Sequence, residues 1–196
     1  ISTKNETLSI NNMSVNIINK NDIGMLFQRT LPFKVYKNDV LYGCFFIDTS
    51  SSNAKKTFYS INANDYIGLL ENQTHLGGMY LNVTVAALVA EVLGKLPYEL
   101  DSIIGDKILT GYLPIQTKRE ALRQIAFSIG AIIDTSRSDK IVIKALPTTI
   151  NSILSEDKII EMKTTELSIT TSIELNTHKY RPNAEEIEVD ACPEIK

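Results

Sequence analysis

The histidines and cysteines are the scarcest reactive side chains of the sequence, and their spacing fits no metal site. His75 and His178 lie far apart, and Cys44 and Cys192 are the only cysteines. A structural zinc site needs about four such ligands at short spacing, and no CxxC motif is present. We therefore predict His75, close to Gly77, to be a surface or turn residue, His178 to lie at the start of a loop, and Cys44 to be a buried apolar side chain.

Pairs of carboxyl groups are the next candidates, because two carboxyl groups can share general acid and base chemistry. Asp101 with Asp106, or Glu185 with Glu186, offers such a pair. Acidic residues at these spacings are typical of solvated loops. The segment Asp134–Asp139 resembles a calcium-binding loop, but the glycine and the final glutamate of that motif are missing. We predict a hairpin turn there.

Motifs for nucleophilic or nucleotide chemistry are absent from the sequence. It contains no GxSxG nucleophile elbow, no Walker loop and no GxGxxG after a strand. We therefore predict no catalytic, cofactor-binding or metal-binding residue and no cofactor. The sequence indicates a protein that is not an enzyme.

Charge and hydropathy exclude two classes of partner. The net charge of the 196 residues is −3, and the densest basic group, Lys118, Arg119 and Arg123, is typical of a solvated helix face. No apolar stretch approaches the ~20 residues that cross a bilayer. We expect neither nucleic acid nor a membrane as partner. Since the sequence starts at Ile1 without Met and ends just after a strand-like run, we expect a piece of a longer protein.

Two amphipathic helices are the clearest elements. The first has an apolar stripe from Val85 to Leu93, with Thr84 placed to cap it and Gly94 to end it. The second runs from a capping box at Thr117–Glu120 to Gly130, with a strand directly after it. The segments from Thr84 to Asp101 and from Thr117 to Asp134 thus share one helix–strand pattern. Internal duplication explains this pattern, and so does the need of any such unit for a cap and a stop.

The remaining segments are typical of β-strands. The predicted segments are a hairpin of Leu8–Ile10 with Met13–Ile18, strands at Phe33–Val35, Val40–Ile47 and Thr57–Ile61, a turn at Lys37–Asp39, a polar loop at Thr49–Asn53, one helical turn at Tyr66–Leu70, a hairpin of Ala131–Asp134 with Ile141–Ile143, and late strands at Glu166–Leu175 and around Ile187 and Val189. Strands therefore flank the helices on both sides.

This order predicts the α+β class and two domains. Residues 1–63 and 147–196 are expected to form a discontinuous, barrel-like antiparallel β domain. Residues 64–146 are expected to form a small α/β insert of two helix–strand units.

A set of packing and turn residues resembles a known family. The residues that carry the resemblance are Phe33–Tyr36, Gly43–Asp48, Asp65–Leu70, Gly77–Tyr80, Tyr112–Ile115, Thr117–Phe127, Gly130–Ala131 and Asp134–Ser138. Over roughly residues 30–145 the sequence is similar to prophage tail proteins of Gram-positive bacteria, related to the baseplate hub or late-control proteins of contractile tails. None of these residues is reactive, so no catalytic residue is carried over.

The resemblance implies a structural role in the virion. It implies a hub or baseplate adaptor that joins the tail tube to the spike or baseplate. We expect the chain to form a homo-oligomer, a trimer by resemblance, and to contact other tail or baseplate proteins. The protein would be made in the bacterial cytoplasm and end in the virion tail or a tail-like particle.

Two other readings stay open. The segment Thr117–Ile133 is similar to the ring-building domains of secretins, which implies a ring-forming envelope domain or an adhesin domain of a bacterial surface assembly. A hydrolase that acts on cell walls is the third reading, and no cluster of reactive residues supports it.

Overall fold

The computed structural model describes residues 8–26 and 31–146. The first described elements are the strands β1 (Asn12–Ile18), β2 (Phe33–Lys37), β3 (Val40–Ser52) and β4 (Phe58–Asn64), with one 3-10 turn at Gly24–Leu26. The elements that follow are α1 (Tyr66–Glu71), β5 (Thr74–His75), β6 (Gly78–Thr84), α2 (Val85–Leu93), β7 (Tyr98–Leu100), α3 (Ser102–Gly105), β8 (Ile108–Leu113), β9 (Gln116–Thr117), α4 (Lys118–Ile129), β10 (Ala131–Asp134) and β11 (Ile141–Ala145).

The first four strands form an antiparallel sheet in the order β1-β4-β3-β2, which curls like half a barrel. Asn38 and Asp39 join β2 to β3 with φ angles of 49° and 61°. Positive φ at both central residues is what a two-residue type I′ hairpin turn requires, so the predicted turn is confirmed. The predicted polar loop at Thr49–Asn53 is wrong for most of its length. β3 continues to Ser52 because β4 lies opposite Thr49–Ser52 and satisfies its backbone groups.

The predicted hairpin of Leu8–Ile10 with Met13–Ile18 is also wrong. β1 forms, but its partner along all seven residues is β4, with Val15 opposite Ile61. Leu8 and Ile10 instead pack against the helices, and the Nε of Arg119 donates to the Leu8 carbonyl at 2.7 Å. Alternating apolar residues predict that a segment is a strand, but they do not predict which strand it pairs with. Here Leu8 and Ile10 are partly buried against the core, and β1 pairs with β4 instead.

The hydrophobic core lies between the helices and a small sheet. In that sheet β11 pairs with β10 antiparallel and with β7 parallel. We call α1, α2, α4 and this sheet the helical body. The fully buried side chains of the helical body include Ile67, Leu70, Val89, Val92, Leu122, Ile141 and Ile143. Both predicted helix–strand units contribute a strand to one sheet, as expected.

Local capping sets the ends of the two long helices. The Thr84 hydroxyl accepts from the Ala87 amide, and the Thr117 hydroxyl accepts from the Glu120 amide. Gly94 and Gly130 end the helices with φ angles of 62° and 67°. The predicted threonine caps and glycine stops are therefore confirmed. The Glu120 carboxylate accepts from Arg123 along the helix, at 2.9 Å from its Nε.

Strands β6 and β8 form a separate two-stranded antiparallel sheet, which we call the ribbon. Its inner face, with Tyr80, Val83 and Leu109, packs against the helical body. A second pair of short strands, β5 and β9, lies where the chain enters α4.

The α+β class is confirmed, since in the described part of the chain the sheets are mostly antiparallel and four helices accompany them. The division at residues 63 and 147 stays a prediction. Several predictions lie outside the described residues, namely the strands at Glu166–Leu175, Ile187 and Val189, and the roles of His178, Glu185, Glu186 and Cys192.

Candidate functional site

The prediction of His75 as a surface or turn residue is wrong, because His75 is the last residue of strand β5 and is buried, with 5% of its area exposed. Its Nδ1 accepts a hydrogen bond from the Gly77 amide at 3.1 Å. Its Nε2 lies 3.4 Å from both Tyr80 Oη and Glu91 Oε1. The Tyr80 hydroxyl donates to Glu91 Oε1 at 2.6 Å. Burial is the larger cause and this bond the smaller one that together raise the pKa of Tyr80 to about 12. Three titratable side chains from β5, β6 and α2 therefore meet, a grouping that their spacing in the sequence does not reveal.

Asp101, Asp106 and Asp134 serve as caps and turns. Asp101 accepts from the Ile103 amide at 3.0 Å and caps α3, and Asp106 follows the end of that helix. Asp134 accepts from the Ser136 amide at 2.9 Å inside the hairpin between β10 and β11, so the predicted hairpin turn is confirmed. Cys44 is buried and free, as predicted for an apolar role. Across residues 8–26 and 31–146, no three His, Cys, Asp or Glu side chains are grouped to hold a metal ion.

Asp65 is a buried carboxylate that accepts four hydrogen bonds, and the sequence analysis assigned it no bonding role. Its Oδ1 caps α1 by accepting from the amides of Ile67 and Gly68, at 3.0 and 3.2 Å. Its Oδ2 accepts from Thr135 Oγ1 at 2.6 Å and from Asn11 Nδ2 at 2.8 Å. One buried carboxylate thus joins the N-terminal segment, α1 and the end of β10. In the sequence, an aspartate between a strand and a short helix is a signal for the cap. No signal in the sequence predicts the bonds to Thr135 and Asn11.

The outer face of the ribbon is the best candidate for an interaction surface. Alternation places Met79 and Leu81 of β6 on the same side as Ile108, Thr110 and Tyr112 of β8, and Met79 lies directly opposite Tyr112. We call these five side chains the ribbon face. Its four apolar members are each 45% to 64% exposed, and none of the five is charged. A contiguous exposed apolar face of this kind typically marks a binding surface.

The ribbon also has open edges. β6 and β8 pair with each other, and within the described ranges neither has a second neighbour. An unpaired strand edge presents backbone donors and acceptors to which another chain can bond. The ribbon face and its edges together offer both apolar contact and directional hydrogen bonding.

A second apolar surface lines the hollow of the four-stranded sheet. It borders an open cavity of about 360 Å³, and all of its lining residues are apolar: Val15, Ile17, Leu26, Leu31, Pro32, Phe33, Ile47 and Ile61. The edges of this sheet are β1 and β2, among the strands that the structure describes. β1 pairs with β4 along all seven residues without a bulge. The opposite edge of β1 is therefore regular and can pair with another strand.

No helix within the described ranges is long and apolar enough to span a membrane. No protein-family model matches the chain, and no curated protein matches it either.

Solved structures of three tail proteins are similar to the chain at a distance. The 43 kDa tail protein of prophage MuSo2 from Shewanella oneidensis shares 12% identity over 74% of this chain and 49% of its own, with a TM-score of 0.49. The prophage tail protein gp18 of Listeria monocytogenes shares 10% identity over 68% and 40%, with a TM-score of 0.46. The tail protein of Neisseria meningitidis shares 13% identity over 67% and 40%, with a TM-score of 0.48.

This chain therefore spans about half the length of the first of these proteins and two fifths of the other two. At this level of identity and TM-score, the likeness by itself assigns no function.

Proposed function

We propose that the chain is a non-catalytic structural module of a phage tail or tail-like particle, of the hub or baseplate-adaptor type. The ribbon face carries the part of the proposal that concerns assembly. The resemblance of residues 30–145 to prophage tail proteins supports the choice of assembly.

The ribbon face supports assembly because its chemistry favours burial. Four large apolar side chains stand on one outward face beside two open strand edges. Covering apolar surface contributes roughly 25 cal/mol per Å², and the backbone groups of the edges add directional bonds. The face has no charge that would fix a charged ligand.

The residues that carry the resemblance have packing and turn roles in the structure. Asp65 caps α1 and joins three segments. Gly77 has a φ of 73°, and a Cβ there would lie 2.5 Å from the Leu113 carbonyl oxygen, so only glycine fits this turn. Thr117 and Gly130 set the ends of α4. A pattern maintained by packing rather than by reactive groups favours a structural role.

The partners follow from the same proposal. The chain would form a homo-oligomer, a trimer by resemblance, and would contact other tail or baseplate proteins, with neither nucleic acid nor a membrane as partner. It would be made in the cytoplasm of a bacterium, Gram-positive by resemblance, and act in the virion tail. The discontinuous β domain of residues 1–63 and 147–196 belongs to the proposal as well.

A ring-forming envelope domain or an adhesin domain is the second candidate. The observation that favours it is the small sheet of β7, β10 and β11 with α2 and α4 packed on it, which agrees with the helix–strand order of ring-building domains. This candidate requires a secretion signal upstream in the gene and the protein in the envelope fraction.

The assembly part is tested by light scattering of the full chain over a concentration series. We expect an oligomer for the wild type and a loss of association for the double variant Leu81→Glu with Tyr112→Glu. The matched control is Ile103→Glu, because Ile103 is also an exposed apolar residue, at 74%, but lies on α3 outside the ribbon face. A wild type that stays monomeric at high concentration, or a control that dissociates equally, would contradict the proposal.

The choice of assembly is tested separately, by mass spectrometry of purified tail particles and of the envelope fraction from the source bacterium. Peptides of the chain in the tail particles support the tail role. Peptides confined to the envelope fraction support the second candidate instead.

A further inference from the structure

We propose that the free edge of β8 and the side of α4 that faces it form a groove for an extended, uncharged segment of a partner protein. The segment adds to the ribbon as a third strand and places one large apolar side chain in the cavity between β8 and α4. The groove lies on the inner side of the ribbon, opposite the ribbon face, and its use does not depend on the proposed tail role.

The cavity lies at the edge of β8. It has a volume of about 180 Å³ and is lined by the consecutive residues Thr110, Gly111 and Tyr112. Consecutive side chains of a strand point to opposite faces, so what these three residues share at the cavity is the edge of the strand. From α4, Gln124 and Ser128 complete the rim. We call this cavity the β8 groove.

The backbone groups at this edge of β8 are open to a further strand. The Lys107 carbonyl accepts from the Val85 amide at 2.8 Å, so the backbone of Lys107 faces β6. Because backbone groups alternate in direction along an antiparallel strand, those of Ile108, Thr110 and Tyr112 face the opposite way, toward the β8 groove. No strand of the described ranges pairs there. An added strand can therefore exchange backbone hydrogen bonds with these residues.

The two edges of the ribbon differ in how well they are protected. Proteins block unwanted strand pairing with charged residues, prolines or bulges. β6 has a bulge between Tyr80 and Val83, and Asn82 in that bulge has a φ of 54°. β8, from Ile108 to Leu113, contains neither a charged residue nor a proline. β8 is therefore the edge of the ribbon that favours pairing.

The β8 groove has room for one large apolar side chain. A residue of the added strand that lies opposite Gly111 points its side chain into the cavity. Space is free there, because a Cβ built on Gly111 has no neighbour within 4 Å. The apolar lining includes Leu88, Leu109 and Ile125. Since an apolar cavity of about 150 Å³ holds a benzene molecule, the β8 groove can hold the side chain of a phenylalanine or a leucine.

The polarity of the β8 groove selects an uncharged segment. Among the described residues, no charged side chain lines it. The Gln124 and Gln116 amides donate to each other, and the Ser128 hydroxyl donates to the Ile125 carbonyl, so the polar side chains of the helix rim are engaged. The backbone of β8 thus fixes the direction of the segment and the apolar cavity holds its central side chain.

A second copy of the chain fits the β8 groove poorly through its own β8. The inner face of its ribbon is packed on its own helical body. When two identical strands pair antiparallel about a two-fold axis, their inner faces lie on the same side of the joined sheet. The helical body of the second copy would then overlap α4 of the first. An extended segment that carries no packed layer avoids this overlap.

The first test measures binding of a labelled synthetic peptide to the full 196-residue chain by fluorescence anisotropy. The peptide alternates threonine and valine, has phenylalanine at its centre, and has an acetylated and an amidated end. We expect saturable binding. Replacing the phenylalanine by aspartate, or methylating the backbone nitrogens of the two neighbouring threonines, is expected to lower the affinity by about ten-fold or more, since each change removes the apolar anchor or the strand hydrogen bonds.

Gly111→Val is the matching variant of the chain, because the valine side chain occupies the space that the phenylalanine would take. We expect it to lower the affinity by about ten-fold or more. Met79→Val is its control, since Met79 lies on β6 and points to the ribbon face. Its affinity is expected to equal that of the wild type. The peptide controls on the wild-type chain still decide the question if Gly111→Val does not fold.

Hydrogen exchange locates the bound peptide. At saturation we expect exchange of the Thr110 and Tyr112 amides to slow by about ten-fold, with the β6 amides unchanged. Slow exchange of these two amides in the free chain at every concentration would show that the chain itself fills the β8 groove. Slowing that appears only at high chain concentration would show that a second copy fills it, and either result would overturn the proposal.

The proposal is also wrong if no saturable binding occurs up to about 1 mM peptide, or if the aspartate peptide binds as well as the original. Light scattering of the chain without peptide reports on the ribbon face alone. A failure of the β8 groove is therefore distinguishable from a failure of the proposed function.

Discussion

The helical body and the ribbon lie side by side in one chain and use apolar residues in opposite ways. In the helical body, leucines and valines such as Leu122 and Val89 are fully buried on both sides of a helix–helix contact. In the ribbon, one face packs inward while Met79, Leu81 and Tyr112 point into solvent. A two-stranded ribbon is marginal alone, so it depends on the body for its order. The difference indicates that stability is concentrated in one region and binding capacity in the other.

The largest expected effect compares two leucines. Leu122→Ala leaves a cavity where α4 meets its neighbours, and we expect it to lower the free energy of unfolding by about 2–5 kcal/mol. Leu81→Ala removes a side chain that is 62% exposed, and we expect a change within about 0.5 kcal/mol. Denaturant unfolding of both variants measures this. Equal losses would show that the ribbon supports the fold as much as the body does.

The next largest expected effect concerns the carboxylate of Asp65. Asp65→Ala removes the cap of α1, leaves the Thr135 hydroxyl without its acceptor and removes one of the two acceptors of Asn11 Nδ2, and we expect a loss of about 2–4 kcal/mol. Asp101→Ala removes a cap with one bond at a partly exposed site, with an expected loss of about 1 kcal/mol. Thermal and denaturant unfolding distinguish the two. If Asp101→Ala cost as much, the junction of three segments at Asp65 would contribute nothing beyond a cap.

The smallest effect concerns the polar contact between the ribbon and α2. Burial and the bond to Glu91 raise the pKa of Tyr80 to about 12, so the folded state favours the protonated phenol. The stabilisation is complete below the ordinary tyrosine pKa of about 10 and is lost as the pH rises through about 12. We expect the difference in unfolding free energy between wild type and Tyr80→Phe to shrink across that interval, as measured by urea unfolding. A constant difference would mean that Tyr80 does not titrate with the ribbon in place.

The parts that sequence reasoning predicted are those where the signal is local. A threonine before an apolar stripe and a glycine after it specify α2 and α4 within a few residues, because capping involves groups three or four positions apart. Asn38 and Asp39 predict their turn for the same reason, since the required φ angles belong to the residues themselves. The α+β class then follows from the order of these elements.

The sequence by itself therefore determined α2 and α4 with their ends, and the turns at Asn38–Asp39 and after Asp134. Only the tertiary structure decided the partner of β1, the burial of His75 between Tyr80 and Glu91, and the bonds from Asp65 to Thr135 and Asn11. Each of these features joins residues that are distant along the chain. Neither the alternation of a strand nor a single polar residue predicts which distant residue it contacts. An apolar strand face such as the ribbon face becomes buried or stays exposed according to whether another part of the fold packs against it, and the sequence of the strand does not contain that information.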